Sequence, residues 1–347
     1  MCRDNSIEYL KQKGDDSRAL LKDNFEKLRS PEGKLHAFVE LVKNHPELEL
    51  CFRGNSDERI IIYYNNHKIF DVKYTGLTTI SFNHARYCKN WKGFLLALKT
   101  YGFEVKNDFE EYKKSEYDIN YINSKKYKGD KQINSDEIEK IYTTILKPIF
   151  DCYFKKIASY KNERKKPLDY FKNEYSTPHI LKEKLRQHEL YSALTYGSNN
   201  YFLYDLEFQQ KNAGGGNKPD MLAVKFNNGK PEKLLLVEVK CTESSLNGTS
   251  GLKEHIEGMQ KYIKDDDKKT ARRKEACDIL NQYAQLNLRG LAPDHIFKKD
   301  DFDDHLDFGI MLIVTDEAKK SKKIKDLMIT KQNIPAYPAA DVYIYES

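Results

Sequence analysis

The chain has 347 residues, with 59 Lys and Arg against 53 Asp and Glu, a formal net charge of +6, and 39% hydrophobic and 12% aromatic residues. That length and apolar content suit one large or two ordinary domains with a sizeable core, and they exclude a disordered polyelectrolyte. No apolar run approaches the roughly 18 residues of a membrane span, the first residues lack the apolar stretch of a secretory signal, and six cysteines at positions 2, 51, 88, 152, 241 and 277 form no C-x-x-C pair that would mark a zinc ribbon. A reducing cytoplasm is the expected location, with no membrane partner. The mild basicity says little by itself about a nucleic-acid partner; where the charge sits matters more.

In chain order, residues 17–44 carry a helical apolar rhythm (Leu20, Leu21, Phe25, Leu28, then Leu35, Phe38, Val39, Leu41, Val42), broken near Pro31 and closed by Pro46. Strand-like runs follow at 48–54, 59–72 and 77–84, the second interrupted by a turn at Asn65-Asn66. A helix is expected over 91–103. Residues 107–135 are polar and charged and read as a linker or insertion, and 136–160 return to helical spacing with a bend expected at Pro148. The second half reads as a helix over 178–194, a strand over 201–208, a Gly214–Gly216 turn, strands over 220–226 and 233–241, a helix from about 252 to 263, a basic stretch, a helix over 275–286 and a strand over 308–314. The division expected from this is an N-terminal α+β module at 1–106, a charged linker with a connecting helix at 107–175, and a C-terminal domain at 176–347.

The chemistry concentrates between residues 218 and 241. The run Leu234-Leu235-Leu236-Val237 is apolar on both faces, as in a buried central strand, and then Glu238 and Lys240 interrupt it. Two residues apart on a strand, they share one face at a spacing of roughly 6.6 Å along the chain. Asp220 opens the preceding strand, and antiparallel pairing brings its carboxylate beside them. Charges there are costly unless compensated, and a divalent cation compensates carboxylates. Acidic-x-Lys triplets occur elsewhere, as in Asp71-Val72-Lys73 and Glu111-Tyr112-Lys113, but only Glu238-Val239-Lys240 closes a long apolar strand with a Pro-Asp-opened strand upstream.

Pro219-Asp220 with Glu238-Val239-Lys240 resembles the motif of the PD-(D/E)XK nuclease superfamily, and the α-β-β-β-α-β element order, with one extra helix before the last strand, is similar to that family's core. The resemblance covers about residues 176–315. It implies an α/β (α+β) protein with a C-terminal restriction-endonuclease-like αβββαβ core, and hydrolysis of phosphodiester bonds with Mg²⁺, for which Mn²⁺ substitutes. It further implies that Asp220, Glu238 and the Val239 carbonyl bind the metal and that Lys240 assists the attacking water. Family members commonly add an acid from the first core helix; here Glu189 is preferred and Glu183 stays open. DNA is preferred over RNA as partner, in a restriction or phage-defence setting, with the N-terminal module selecting substrate or binding a second copy or another protein.

Gln260, Lys218, Arg272 and Arg273 are candidate substrate contacts, the two arginines because KKTARRK is placed to track a phosphate backbone. The glycine triplet lacks a following G-K-[ST], so it is no P-loop. The scattered histidines show no H-x-x-x-H pair, which argues against a zinc hydrolase. The rival reading is a non-catalytic nucleic-acid-binding, sensor or scaffold protein on the same fold. Its signature would be a degraded motif.

Overall fold

The structure is a computed structural model that describes residues 19–54, 58–64, 67–73, 78–82, 123–127, 132–148, 151, 200–206, 219–241, 246–247, 251–315, 318–325, 330–332 and 340–345. The helices expected over 91–103 and 178–194, and the glycine turn at 214–216, lie outside the described residues. The fold class is mixed α/β. Two compact units divide the chain: residues 21–51 with 57–181, and residues 1–20 with 52–56 and 182–347.

In the first unit the rhythm of residues 17–44 becomes two helices, α1 (Lys22–Arg29) and α2 (His36–Asn44), which bury Phe25 and Leu28, and Ala37, Phe38, Val39, Leu41 and Val42. Gly33 lies between them, where a Cβ would stand 2.4 Å from the Lys27 carbonyl oxygen, so no larger residue fits without moving backbone. The strands β1 (Leu48–Arg53), β2 (Arg59–Tyr64), β3 (His67–Lys73), β4 (Thr78–Phe82) and β5 (Asn123–Tyr127) form a sheet in that order, antiparallel from β2 to β5. β5 falls inside the stretch expected as a linker, so part of that stretch is sheet. Helix α3 (Ser135–Ile141) is capped by Asn134, whose side chain accepts from the Asp136 and Glu137 amides. Ahead of Pro148, which has no N–H to give, the helix widens into a π-turn over Tyr142–Leu146, with the Thr143 and Thr144 hydroxyls donating back to the Glu139 and Lys140 carbonyls.

The second unit is built on β6 (Tyr201–Leu206), β7 (Met221–Asn227), β8 (Lys230–Lys240), β9 (Asp307–Thr315), β10 (Thr330–Gln332) and β11 (Ala340–Tyr345), in the sheet order β10-β11-β9-β8-β7-β6. β6, β7 and β8 form an antiparallel meander. Asn228 and Gly229, both at positive φ (50° and 77°), make the tight turn between β7 and β8, where glycine is the residue that adopts such a φ without strain. β9 then pairs with β8 in parallel. A parallel return needs a long crossover, here helices α4 (Leu252–Ile263) and α5 (Asp266–Gln285). The sequence pattern splits the region of α5 into a basic stretch and a helix from 275. It is instead one 20-residue helix, started by Asp265, whose side chain accepts from the Lys268 amide. The two closing strands β10 and β11 lie beyond the elements expected from sequence.

The core of this unit includes residues from the start of the chain. Phe52 stacks on Tyr283 with ring centroids 4.6 Å apart. Gln282 is bonded to both the amide and the carbonyl of Leu20, at 3.1 and 2.7 Å. Arg53 is buried against Asp205, with Nη1 2.5 Å from Oδ1.

Candidate active site at the end of β8

From Leu234 to Lys240 every residue of β8 is buried, because β7 and β9 flank it and α4 packs near it. Glu238 is 1% exposed and Lys240 5%, so both charged side chains sit in the interior. The Lys240 Nζ lies 2.6 Å from Glu238 Oε1. This is the same-face geometry that a spacing of two dictates on a strand. The pairing neutralises two charges that neither could carry alone at such burial.

Asp220 immediately precedes β7. The last β7–β8 pair is Met221 with Val237, so the same register puts Asp220 across from Glu238. Its Oδ2 accepts from the Val239 amide at 2.8 Å. Pro219, without an N–H, stands where the ladder stops, and the aspartate side chain takes over bonding to β8. The Val239 group tied to Asp220 is thus its amide.

A fourth residue joins them that the sequence pattern did not single out. His255, on α4, places Nδ1 2.9 Å from Glu238 Oε1 with a side chain 13% exposed. The contact is close but not aligned as a hydrogen bond: Nδ1 and Glu238 Oε2 are both buried without a hydrogen-bond partner. Each such orphan costs about 1–3 kcal/mol, so something else must compensate them. A signal for His255 was present in its position three residues after Leu252 and four before Met259, both buried, which sets it on the inward flank of α4. Gln260 is five residues further on, about 140° round the helix from His255. It therefore lies off that flank, and the structure gives it no place at the site.

The two arginines expected as substrate contacts have structural roles instead. Arg272 is 1% exposed; Nε donates to the Tyr262 hydroxyl at 2.8 Å and Nη1 to Glu275, itself fully buried. Arg273 donates to the Leu306 carbonyl at 2.8 Å and to Asp304 at 2.9 Å. Guanidinium groups spent on internal acceptors do not line a groove. Lys218, Glu183 and Glu189 lie outside the described residues.

The donor set gathered here is two carboxylates, an imidazole and an ammonium. Among the described residues, no group of three His, Cys, Asp or Glu side chains is placed to hold a metal ion. No helix among them is long and apolar enough to cross a membrane. In comparisons with known proteins, no family model, curated protein or solved structure matches the chain.

Proposed function

We propose that this chain is a divalent-metal-dependent nuclease of the PD-(D/E)XK kind, with DNA as its preferred substrate. The observation that carries the reading is the convergence of Asp220, Glu238 and Lys240 at the buried end of β8, with one carboxylate oxygen of Glu238 left without a partner. The antiparallel β6-β7-β8 meander followed by a helical crossover to a parallel β9 supports it, since the motif then occupies the second and third strands of the core, as in that family.

The residues fit a hard cation. Mg²⁺ is commonly held by one or two carboxylates, with water and substrate phosphate completing its sphere, so a site with two carboxylates and no third acidic ligand suits it. Asp220 and Glu238 would hold the ion; Mn²⁺ would substitute. When bound, the cation supplies an acidified water and neutralises charge on the phosphate. Asp220 is braced by the Val239 amide, which fixes its carboxylate against the strand that carries Glu238. Lys240 orients the attacking water by hydrogen bonding and places a positive charge where negative charge grows on the phosphoryl oxygens. Burial keeps that charge poorly screened and so effective. The N-terminal unit would select the substrate, or bind a second copy or another protein. A restriction or phage-defence role is analogy from the fold.

Cleavage by the purified chain tests this, on supercoiled DNA, linear duplex, single-stranded DNA and RNA, with Mg²⁺ or Mn²⁺ and with EDTA. Cutting should require metal and fall by at least about 100-fold in Asp220→Ala and in Lys240→Ala, with folding checked by circular dichroism. Cutting that survives both substitutions would remove the assignment.

A further inference from the structure

His255 and Glu238 come from separate elements, α4 and β8, and meet at 2.9 Å between Nδ1 and Oε1. A histidine that merely steadies a glutamate is expected to aim an N–H along the line between them. Here Nδ1 makes no hydrogen bond, and Glu238 Oε2 makes none either, although both atoms are buried. Glu238 is 1% exposed, so its unpartnered oxygen has no route to compensation by bulk water. An imidazole nitrogen and a carboxylate oxygen are the two donor types that transition cations take from proteins. Two ligand atoms each about 2.1 Å from one ion and at right angles stand about 3.0 Å apart, with no hydrogen between them. The observed spacing and misalignment match that arrangement.

We infer that His255 is a metal ligand beside Glu238, and that the site therefore takes a borderline transition cation of the Mn²⁺, Co²⁺ or Zn²⁺ class in preference to Mg²⁺. Imidazole favours those ions, whereas Mg²⁺ favours oxygen ligands. The inference rests on the same Glu238 as the nuclease reading and sharpens the class of its cofactor.

The test uses the full chain with Mn²⁺ alone and no nucleic acid. Pulsed electron paramagnetic resonance of the Mn²⁺-loaded wild type should show nitrogen coupling from a bound imidazole, and the coupling should vanish in His255→Gln. By titration calorimetry the wild type should bind Mn²⁺ at least about tenfold more tightly than Mg²⁺. His255→Gln should lose at least about tenfold in Mn²⁺ affinity and stay within about twofold for Mg²⁺. A wild-type spectrum without nitrogen coupling overturns the inference, whatever the variant does. So does an equal loss for both ions, which would make His255 a positioning residue for Glu238. If His255→Gln does not fold, His255→Asn takes its place, and Glu238→Gln should also weaken the signal. Cleavage is not among these readouts. Nitrogen ligation without cutting leaves the inference standing and removes the nuclease reading, and cutting without nitrogen ligation does the reverse.

Discussion

Glu238 and Lys240 make opposite demands on their surroundings, and each meets the other's. At 1% and 5% exposure, neither charge is solvated, and their 2.6 Å contact is what makes the burial tolerable. Removing one partner should therefore cost more than removing both. Lys240→Met is expected to lower stability by about 3–5 kcal/mol, since it leaves a buried carboxylate without its ammonium, while Glu238→Leu with Lys240→Met should recover most of that loss. Urea denaturation in the presence of EDTA measures it, and additive single and double values would show that the pair is not coupled. The pair and Asp220 were legible in the sequence because an apolar run isolates them: a charge stands out against Leu234 to Val237. His255 was not. On an amphipathic helix a histidine at the border of the buried flank belongs equally to either face, and only the packing of α4 shows which one it joins.

Elements were readable where their pattern is set by burial. β6 to β9 follow from apolar runs, and the β7–β8 hairpin from Asn228-Gly229. β5, with the sequence Asn-Ser-Lys-Lys-Tyr, has no such pattern; its pairing with β4 is a tertiary fact that overrides local polarity. Helix α5 misleads in the opposite sense. Its charged first half suggests a solvated or nucleic-acid-facing stretch, yet Arg272 and Glu275, at 1% and 0% exposure, form an ion pair inside the unit. Charge pattern cannot separate a solvated arginine from one paired in the interior. The two views of Arg272 predict different outcomes. As an internal partner, Arg272→Leu should lower stability by about 3–5 kcal/mol because Glu275 stays buried without its guanidinium, and Glu275→Leu added to it should restore most of the loss. A phosphate contact would instead leave the thermal midpoint unchanged and weaken nucleic-acid binding with a shallower salt dependence.

At the scale of the molecule, composition placed a boundary near residue 106 and began the second domain at 176, but the second unit also claims residues 1–20 and 52–56. The reason lies at Arg53. The β6–β7 register shifts between Leu203 and Asp205, a bulge that changes how Asp205 is presented. Asp205, 1% exposed, then receives the Arg53 guanidinium, whose other nitrogen donates to the Leu206 carbonyl at 2.7 Å. One arginine more than 150 positions away thus satisfies both a buried carboxylate and a strand carbonyl. No local sequence signal announces such a partnership, because each residue taken alone looks like an ordinary polar position. Its energetic consequence is specific. Arg53→Met in the full chain keeps most of the side-chain volume but removes the charge, so it should cost about 3–5 kcal/mol. Hydrogen exchange should lose protection first over residues 201–206, the strand that Arg53 braces. A fragment starting at residue 176 lacks Arg53 and the Leu20 contact of Gln282 altogether, and should melt below the Arg53→Met chain. If Arg53→Met instead melts within the error of the wild type, Asp205 is held by its remaining partners, and the early segment contributes packing through Phe52 on Tyr283 rather than charge.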